Sequence, residues 1–498
     1  MFDNLLLGLS VALTFENIAY CFGGALIGTL IGMLPGLGPA ATVALLIPLT
    51  FALSPVSAFI LLGGIYYGAQ YGGSTTAILL RLPGETSSVV TALDGHEMAK
   101  RGMAGKALAT AALSSFFAGT VSVFIVALFA APLTAFALQF ASPEFFSVMV
   151  LGLVAAVALA SGSILRSFAM LIFGIAISLS GQDVFFGEFR LTFGLRELYS
   201  GFEFVAVTMG IFGISEVINN LRDGSKRDLV TNKVSGLWLG LADLKAILMP
   251  AIRGTGIGAL LGILPGGGAA VASFASYSIE KNVSRHPETF GKGAIEAVAG
   301  PEGANNAAAQ TSFIPMLTLG IPANPVMALM IAVLIIQGIT PGPQVMTRQP
   351  ELVWGLIASM WIGNVILLIL NLPLIGLWIK LLRVPNEILF PIIVVVCIIG
   401  AFNISSSPFD VMMLALFGLL GYVLLKLDCE PAPFLLGFVL GPMLEDHFRR
   451  SLLVSRGDYT VFFTRPISAT LLALALIALI ASLLPILRKA REQATVEG

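Results

Sequence analysis

Apolar runs separated by short polar or Pro-Gly stretches fill the chain from end to end. Residues 5–13 form a short run ended by Phe15-Glu16-Asn17, too brief to span a bilayer and expected to be interfacial or a partial crossing. The first convincing segment covers 18–34 and stops at Pro35-Gly36; a second, 40–67, is punctuated at Pro48 and Pro55 and reads as two half-helices. The polar stretch Tyr71–Thr76 follows, then Leu80-Arg81-Leu82-Pro83-Gly84-Glu85 and a hydrophilic loop, 86–106. Apolar segments recur at 107–131, 145–161, 164–180 and 202–218, with Asp183, Glu188, Arg190, Arg196 and Glu197 in a loop before the last. Residues 219–253 make the main central break. Beyond it lie a run to Leu264, a segment to 279, polar residues 280–312, and spans at 325–338, 352–379, 388–402, 409–426 and 432–442. A charged loop precedes a final helix at 466–487 and the basic end Arg488-Lys489-Ala490-Arg491. The pattern predicts an all-α polytopic membrane protein with about 11–12 membrane segments.

One stretch occurs twice. Gly28-Thr-Leu-Ile-Gly32-Met-Leu-Pro35-Gly36-Leu-Gly38-Pro39-Ala40 returns 230 positions later as Gly258-Ala-Leu-Leu-Gly262-Ile-Leu-Pro265-Gly266-Gly267-Gly268-Ala269-Ala270, with eight of thirteen positions identical. Proline removes a backbone donor and glycine admits positive φ, so each copy is where a membrane helix breaks. Broken helices at membrane depth need burial in protein or a wet cavity, and paired breaks in two halves mark a secondary transporter's binding site. At the same offset Ser74-Thr75-Thr76 falls opposite Ala304-Asn305-Asn306, whereas Leu82-Pro83 matches Ile321-Pro322 at 239. The second half therefore carries nine extra residues between these elements.

Composition agrees with a membrane protein: 57% of residues are hydrophobic, only 11% are charged, and mean hydropathy is +0.94. Soluble domains carry about 25% charge. The net charge of −1 matters less than where the basic residues lie. The first copy follows a segment with no Lys or Arg; the second follows Arg222, Lys226, Arg227, Lys233 and Lys245. Lys and Arg concentrate in cytoplasmic loops, so the copies are expected to enter from opposite sides as inverted repeats. The N-terminus is then periplasmic and the C-terminus cytoplasmic, reached by a helix added outside the repeat. Four regions follow: 1–220, a first repeat; 221–250, a basic cytoplasmic connector; 251–465, a second repeat; and 466–498, the extra helix and tail. Cys21, Cys397 and Cys429 lack motif spacing and read as buried apolar residues, and the N-terminus has no basic n-region of a signal peptide.

The breaks carry the chemistry. A helix resuming after Pro35, Gly36 and Gly38, or after Pro265, Gly266, Gly267 and Gly268, offers free N–H groups and a positive dipole end to a carboxylate. A phosphate-loop reading fails because no Lys-Ser/Thr follows the glycines. Gly73, Ser74, Thr75, Thr76, Asn305 and Asn306 offer neutral hydroxyl and amide groups that are costly to bury unless paired, and serve either interhelical bonding or substrate coordination. Pro83 and Gly84, with Pro322, Ala323 and Asn324, read as tips of a second pair of re-entrant loops. Together they form the expected substrate site, with Glu302 as a candidate ion or proton site and no catalytic residue. The core motifs contain no Arg, which is costly at the bilayer centre; Arg81 and Arg253 read as vestibule or interface charges. His96, His286 and His447 sit in charged stretches and are expected to be solvated.

Several of these motifs together carry a resemblance. Gly32–Gly38, Tyr66-Tyr-Gly-Ala-Gln-Tyr-Gly-Gly73, Leu82-Pro-Gly84, Asp94-Gly95, Gly262–Gly268, Pro301-Glu-Gly-Ala-Asn-Asn306 and Leu319-Gly-Ile-Pro322 span nearly the whole chain. The chain resembles the large membrane subunit, TctA, of the tripartite tricarboxylate transporter family. The resemblance implies a permease of the bacterial inner membrane working with a small membrane subunit and a periplasmic solute-binding protein. It also implies uptake of citrate-like tricarboxylates or other organic anions driven by a Na⁺ or H⁺ gradient, without a cofactor or a nucleic-acid partner. Ala323-Asn324 departs from the pattern, since the family often has Gly after Ile-Pro, and a bulkier tip bears on substrate fit. Other readings weighed are an anion channel or exporter, and an intramembrane protease, which needs a Ser/His dyad or paired Asp within spans.

Overall fold

A computed structural model describes residues 2–483 apart from 35–36, 83, 160–162, 184, 224–235, 265, 267 and 382–385. Of the expected site residues, Pro35, Gly36, Pro83, Pro265 and Gly267 thus lie outside the described residues. The first half comprises α1 (Phe2–Ala12), α2 (Phe15–Gly32), α3 (Pro39–Leu46), α4 (Pro55–Leu80), α5 (Val89–Met98), α6 (Ala104–Ala137), α7 (Ser142–Leu159) and α8 (Ile164–Ser178). It continues through a two-residue hairpin, β1 (Gly181–Gln182) with β2 (Phe189–Arg190), into α9 (Phe204–Thr208) and α10 (Ser215–Asp223), joined by a π turn. The second half comprises α11 (Leu241–Ile263), α12 (Gly268–Val283), α13 (Glu296–Thr311), α14 (Phe313–Leu319), α15 (Pro325–Ile336), α16 (Pro343–Arg348) and α17 (Pro350–Asn371). It closes with α18 (Ile375–Leu381), α19 (Asn386–Ser405), α20 (Pro408–Lys426), α21 (Pro431–Val454), α22 (Val461–Thr464) and α23 (Pro466–Leu483). Among the described residues five helical stretches are long and apolar enough to cross a membrane: Phe15–Gly32, Thr86–Ala137, Leu241–Ile263, Pro350–Asn371 and Pro408–Lys426.

Local chemistry sets the helix ends that matter. Ser54 and Asn324 cap α4 and α15, accepting from Ser57 N and Met327 N, and each is followed by proline at the first helical position. At their C-termini α4 and α14 both stop on a left-handed residue, Arg81 (φ 57°) and Gly320 (φ 70°), each one residue before the Leu-Pro or Ile-Pro step.

Glycines spaced by four bring paired helices into backbone contact in both halves. A Cβ on Gly24, Gly28 or Gly32 of α2 would stand 2.3, 2.2 and 2.3 Å from the carbonyl oxygens of Leu61, Ile65 and Ala69 of α4. A Cβ on Gly254, Gly258 or Gly262 of α11 would stand 2.1, 2.2 and 2.4 Å from those of Gly300, Ala304 and Ala308 of α13. The lead helices correspond at an offset of 230 and the second helices at 239. This corrects one expected pairing. Asn305 and Asn306 correspond to Tyr66 and Tyr67, and Gly73–Thr76 to Ser312–Pro315. The shift arises because α12 and the loop 284–295 make a longer return than α3 and its 3₁₀ turn, Ile47–Thr50.

Direction follows from the same contacts. Along α2 the partners on α4 advance, so the two run parallel. Ser57 Oγ donates to Asn17 Oδ1 at 2.8 Å, which sets the start of α4 beside the start of α2, so α3 must carry the chain back between them. From Glu302 on α13 to Phe313 on α14, by contrast, the partners on α4 recede from Ser74 to Tyr66 and Tyr67; α4 and α13–α14 are antiparallel. Outer helices are exchanged between halves. A Cβ on Gly174 of α8 would meet Phe434 O of α21 at 2.1 Å, and one on Gly210, between α9 and α10, would meet Leu414 O of α20 at 2.8 Å.

Two further expectations are corrected. Residues 86–106 form no hydrophilic loop: a 3₁₀ turn, α5, a π turn and the start of α6 fill them, and Asp94 and His96 are buried. The polar stretch Gly73–Thr76 lies within the continuous helix α4, its hydroxyls turned back onto helix carbonyls or across to another helix. The three cysteines are free, Cys21 and Cys397 buried.

Candidate functional site

In each half the break after the lead helix meets the tip after the second helix. A Cβ on Gly84 would lie 2.4 Å from Gly32 O and 2.6 Å from Gly73 Cα, so only glycine fits where this tip dips back beside α2 and α4. In the second half Gly266 N–H, from a residue at φ 76°, donates to Ala323 O at 2.9 Å. Gly38 and Gly268 start α3 and α12 directly after the breaks, and Pro322 is buried in the second tip.

One hydrogen bond ties each tip to the opposite half. Asn305 Nδ2 donates to Glu85 Oε1 at 3.1 Å, and Asn324 Nδ2 to Tyr66 Oη at 3.3 Å. At the offset of 239, Asn305 is the counterpart of Tyr66 and Asn324 that of Glu85. The two bonds are therefore one contact made twice, as an isologous interface requires. Asn324 also caps α15 through Oδ1, which accepts from Met327 N at 3.0 Å. The departure at Ala323-Asn324 thus places a capping side chain at the tip.

A polar hub lies beside the tips. Glu302, 1% exposed, accepts from Ser74 Oγ at 2.8 Å, Thr91 Oγ1 at 2.5 Å and Ser115 Oγ at 3.3 Å. Asn306 Nδ2 donates to Ser115 Oγ at 2.7 Å and to Glu302 O at 3.2 Å. Thr75 and Thr76 donate to Tyr71 O and Gly73 O of their own helix. A carboxylate this deep is tolerable because each of its oxygens is hydrogen-bonded. At the offset of 239 its counterpart in the first half is Gly63, which supplies no matching carboxylate.

A second carboxylate holds the halves together farther out. Asp94 of α5 accepts from Tyr277 Oη at 3.0 Å and from the N–H groups of Gly291, Gly293 and Ala294 at 2.9, 2.7 and 2.8 Å. Arg253 pairs with Glu280 through two bonds of 2.8 and 2.5 Å, and Arg81 is exposed, so neither guanidinium bonds to the hub. His96 Nδ1 lies 3.0 Å from Ile78 O and His447 stacks on Phe145 at 5.0 Å, which corrects the expectation that both are solvated; His286 is exposed.

The structure thus gathers Gly73, Ser74, Thr75, Gly84, Asn305, Asn306 and Glu302 around one centre, with Ala323 and Asn324 at the matching tip. Sequence reasoning missed Tyr66, Glu85, Thr91 and Ser115. Glu85 follows a recognised tip motif and its place beside Pro83-Gly84 was the available signal. Thr91 stands alone in α5 and Ser115 in a Ser-Ser pair of α6, and nothing in spacing singles them out.

A family model described as the tripartite tricarboxylate transporter TctA family matches residues 18–436. Two Agrobacterium vitis proteins are similar to the chain. One, described as an uncharacterized 52.8 kDa protein in the TAR-I ttuC′ 3′ region, is 57% identical over 497 residues, 100% of this chain and 99% of its own length. The other, described as an uncharacterized protein in the TAR-II ttuC′ 3′ region, is 64% identical over 240 residues, 48% of this chain and 99% of its own length. No solved structure matches. With these motifs, this helical plan and a match over most of its length, the chain belongs to the TctA family, a membrane component of tripartite tricarboxylate transporters.

Proposed function

We propose that the chain is the permease subunit of a secondary active importer for tricarboxylates or related organic carboxylates. It works in the bacterial inner membrane beside a small membrane subunit, is fed by a periplasmic solute-binding protein and draws on a Na⁺ or H⁺ gradient. The observation that carries this reading is the exchanged pair of bonds, Asn305 to Glu85 and Asn324 to Tyr66, across the antiparallel helices α4 and α13–α14. Halves related in this way, about 1–220 and 251–465, fit an inverted repeat that rocks about a central site, which is how alternating access works. A channel needs a continuous pore with a ring-like filter instead. The N-termini of α3 and α12 start directly after the breaks, and the N–H groups of their first turns suit a carboxylate without a buried guanidinium.

Orientation is supported by charge. Lys106 bonds Asp243 at the start of α11, and the loop 284–295, with Arg285 and Lys292, packs on the end of α5 near Lys100 and Arg101. This basic face is assigned to the cytoplasm, leaving the N-terminus periplasmic and the C-terminus cytoplasmic. Uptake into proteoliposomes holding the permease with its small subunit tests the reading. Saturable accumulation that depends on an ion gradient is expected; downhill flux that never saturates belongs to a channel.

A further inference from the structure

A small cavity of about 10 Å³ lies where α4, α6, α13 and the end of α17 meet, lined by Tyr71, Ser74, Thr75, Ser115, Glu302 and Asn371 with Leu108 and alanines of α6. That is room for about one water-sized guest. A tricarboxylate does not fit it, and the Glu302 charge at its wall repels one. Two of the lining atoms are buried without a hydrogen-bond partner, Tyr71 Oη and Asn371 Oδ1, on residues that are each 4% exposed. Asn371 Nδ2 is already committed to Leu367 O at 2.9 Å, so it is the amide oxygen that is left over. Such orphaned oxygens are rare in a dry interior unless a small guest satisfies them. Ser74 and Ser115 donate their protons to Glu302; Ser74 keeps its lone pairs and Ser115 keeps one beside the bond from Asn306, so the wall still offers acceptors. The groups bonded to the Glu302 carboxylate are all neutral hydroxyls.

We propose that this cavity is a sodium site, with Glu302 supplying the balancing charge and Ser74, Ser115, Tyr71 and Asn371 supplying neutral oxygens. One carboxylate with hydroxyl and amide oxygens is a hard donor set that neutralises one monovalent cation. A proton on Glu302 answers the charge but leaves Tyr71 Oη and Asn371 Oδ1 alone; a water answers those atoms but leaves the charge. Sodium answers both. Because the counterpart of Glu302 is Gly63, the first half has no matching carboxylate for a second such site at the equivalent position. Ser74 accordingly belongs to the cation and not to the anion, which leaves the tips and Asn305 for the carboxylate. The role of this sodium as coupling ion rests on the permease reading; its binding does not.

Binding of radioactive sodium to the purified complex in detergent, without any carboxylate, tests the site. Saturable binding of one ion per chain is expected, displaced by unlabelled sodium and not by choline, with a sodium-dependent rise in melting temperature. Tyr71→Phe removes only the orphaned hydroxyl and should weaken sodium binding at least tenfold while the protein still folds; Glu302→Gln should abolish it. Absence of sodium binding in the wild type, or wild-type affinity in Tyr71→Phe or in Glu302→Gln, overturns the proposal. Uptake driven by protons alone with no sodium bound sinks the site and leaves the permease standing. Sodium bound at the site without any carboxylate uptake does the reverse.

Discussion

Asn305 and Glu85 meet across the two halves at 3.1 Å, an amide from the middle of α13 reaching the residue that follows the first tip. Glu85 opens the 3₁₀ turn that leads into α5, so this bond couples the position of a re-entrant tip in one half to a helix of the other. Its twin, Asn324 to Tyr66, does the same in the opposite sense. A rocking motion of one half against the other strains both bonds at once, and this makes them the natural place to probe the transport cycle.

Replacing Asn305 and Asn306 together with alanine removes the donor to Glu85 and the donor to Ser115. Leaving a buried partner unsatisfied costs about 1–3 kcal/mol. Membrane insertion should survive, and uptake in proteoliposomes should fall at least tenfold. Wild-type uptake by a folded double variant means that these amides only pack helices. As a separate check, Asn305→Ala and Glu85→Ala should be non-additive in unfolding free energy by about 0.5–3 kcal/mol.

Much of this was legible in the chain itself. The repeated Gly-x-x-x-Gly-x-x-Pro-Gly stretch announced both lead helices and both breaks, because glycine and proline act locally and leave their mark whatever surrounds them. The tips at Gly84 and Ala323 were legible for the same reason. The register of the second helices was not. The polar pairs Ser74-Thr75-Thr76 and Asn305-Asn306 look alike in composition, yet glycine contacts on α2 and α11 decide the alignment, and they set Asn305 opposite Tyr66. Residues 86–106 misled because their polar side chains are spent on tertiary partners: Asp94 on a loop some 200 residues away and Thr91 on Glu302. Periodicity reports a face turned to water, and it cannot distinguish that from a face turned to buried polar groups.

The glycine ladder gives a sharp packing test. Gly28→Ala and Gly258→Ala put a methyl 2.2 Å from a carbonyl oxygen, so the helices must part. Overpacking of this kind costs about 1–3 kcal/mol. Gly23→Ala and Gly256→Ala on the same helices meet nothing within 4 Å and should be neutral or, with a gain of up to about 1 kcal/mol in helix propensity, stabilising. Thermal melting of the purified protein in one detergent compares all four; equal loss at the ladder and control positions contradicts the close approach.

Asp94→Asn should loosen the loop 284–295. One of its carboxylate oxygens accepts from Gly293 and Ala294 and the other from Tyr277 and Gly291, and an amide cannot accept on both sides. Hydrogen bonds to a charged group contribute about 1.5–3 kcal/mol. Faster hydrogen–deuterium exchange at Gly291, Gly293 and Ala294, with exchange at the hairpin β1–β2 unchanged, is the expected result. Unaltered protection at those three amides counts against the clamp.

Asp183 supplies the pH dependence, in the loop between α8 and α9. Burial pushes its carboxyl up, but the N–H groups of Phe185 and Phe186 with the Arg190 and Arg449 guanidiniums outweigh this and hold it below the usual carboxylate range. A depressed folded value means that the unfolded chain takes up the proton first as pH falls. The stabilisation is therefore fully present above the unfolded value of about 3.9 and is lost as pH drops through the lower folded one. Asp183→Asn removes that contribution at neutral pH and should flatten the acid limb of the melting curve below about pH 4. The variant should also free Arg449 from one of its two acidic partners, Asp183 and Glu445, and shift the stacking of its guanidinium on Phe185 and Phe186. Melting temperature followed from about pH 6 to pH 3 decides the matter: parallel curves for the wild type and Asp183→Asn rule out Asp183 as the source of the acid limb.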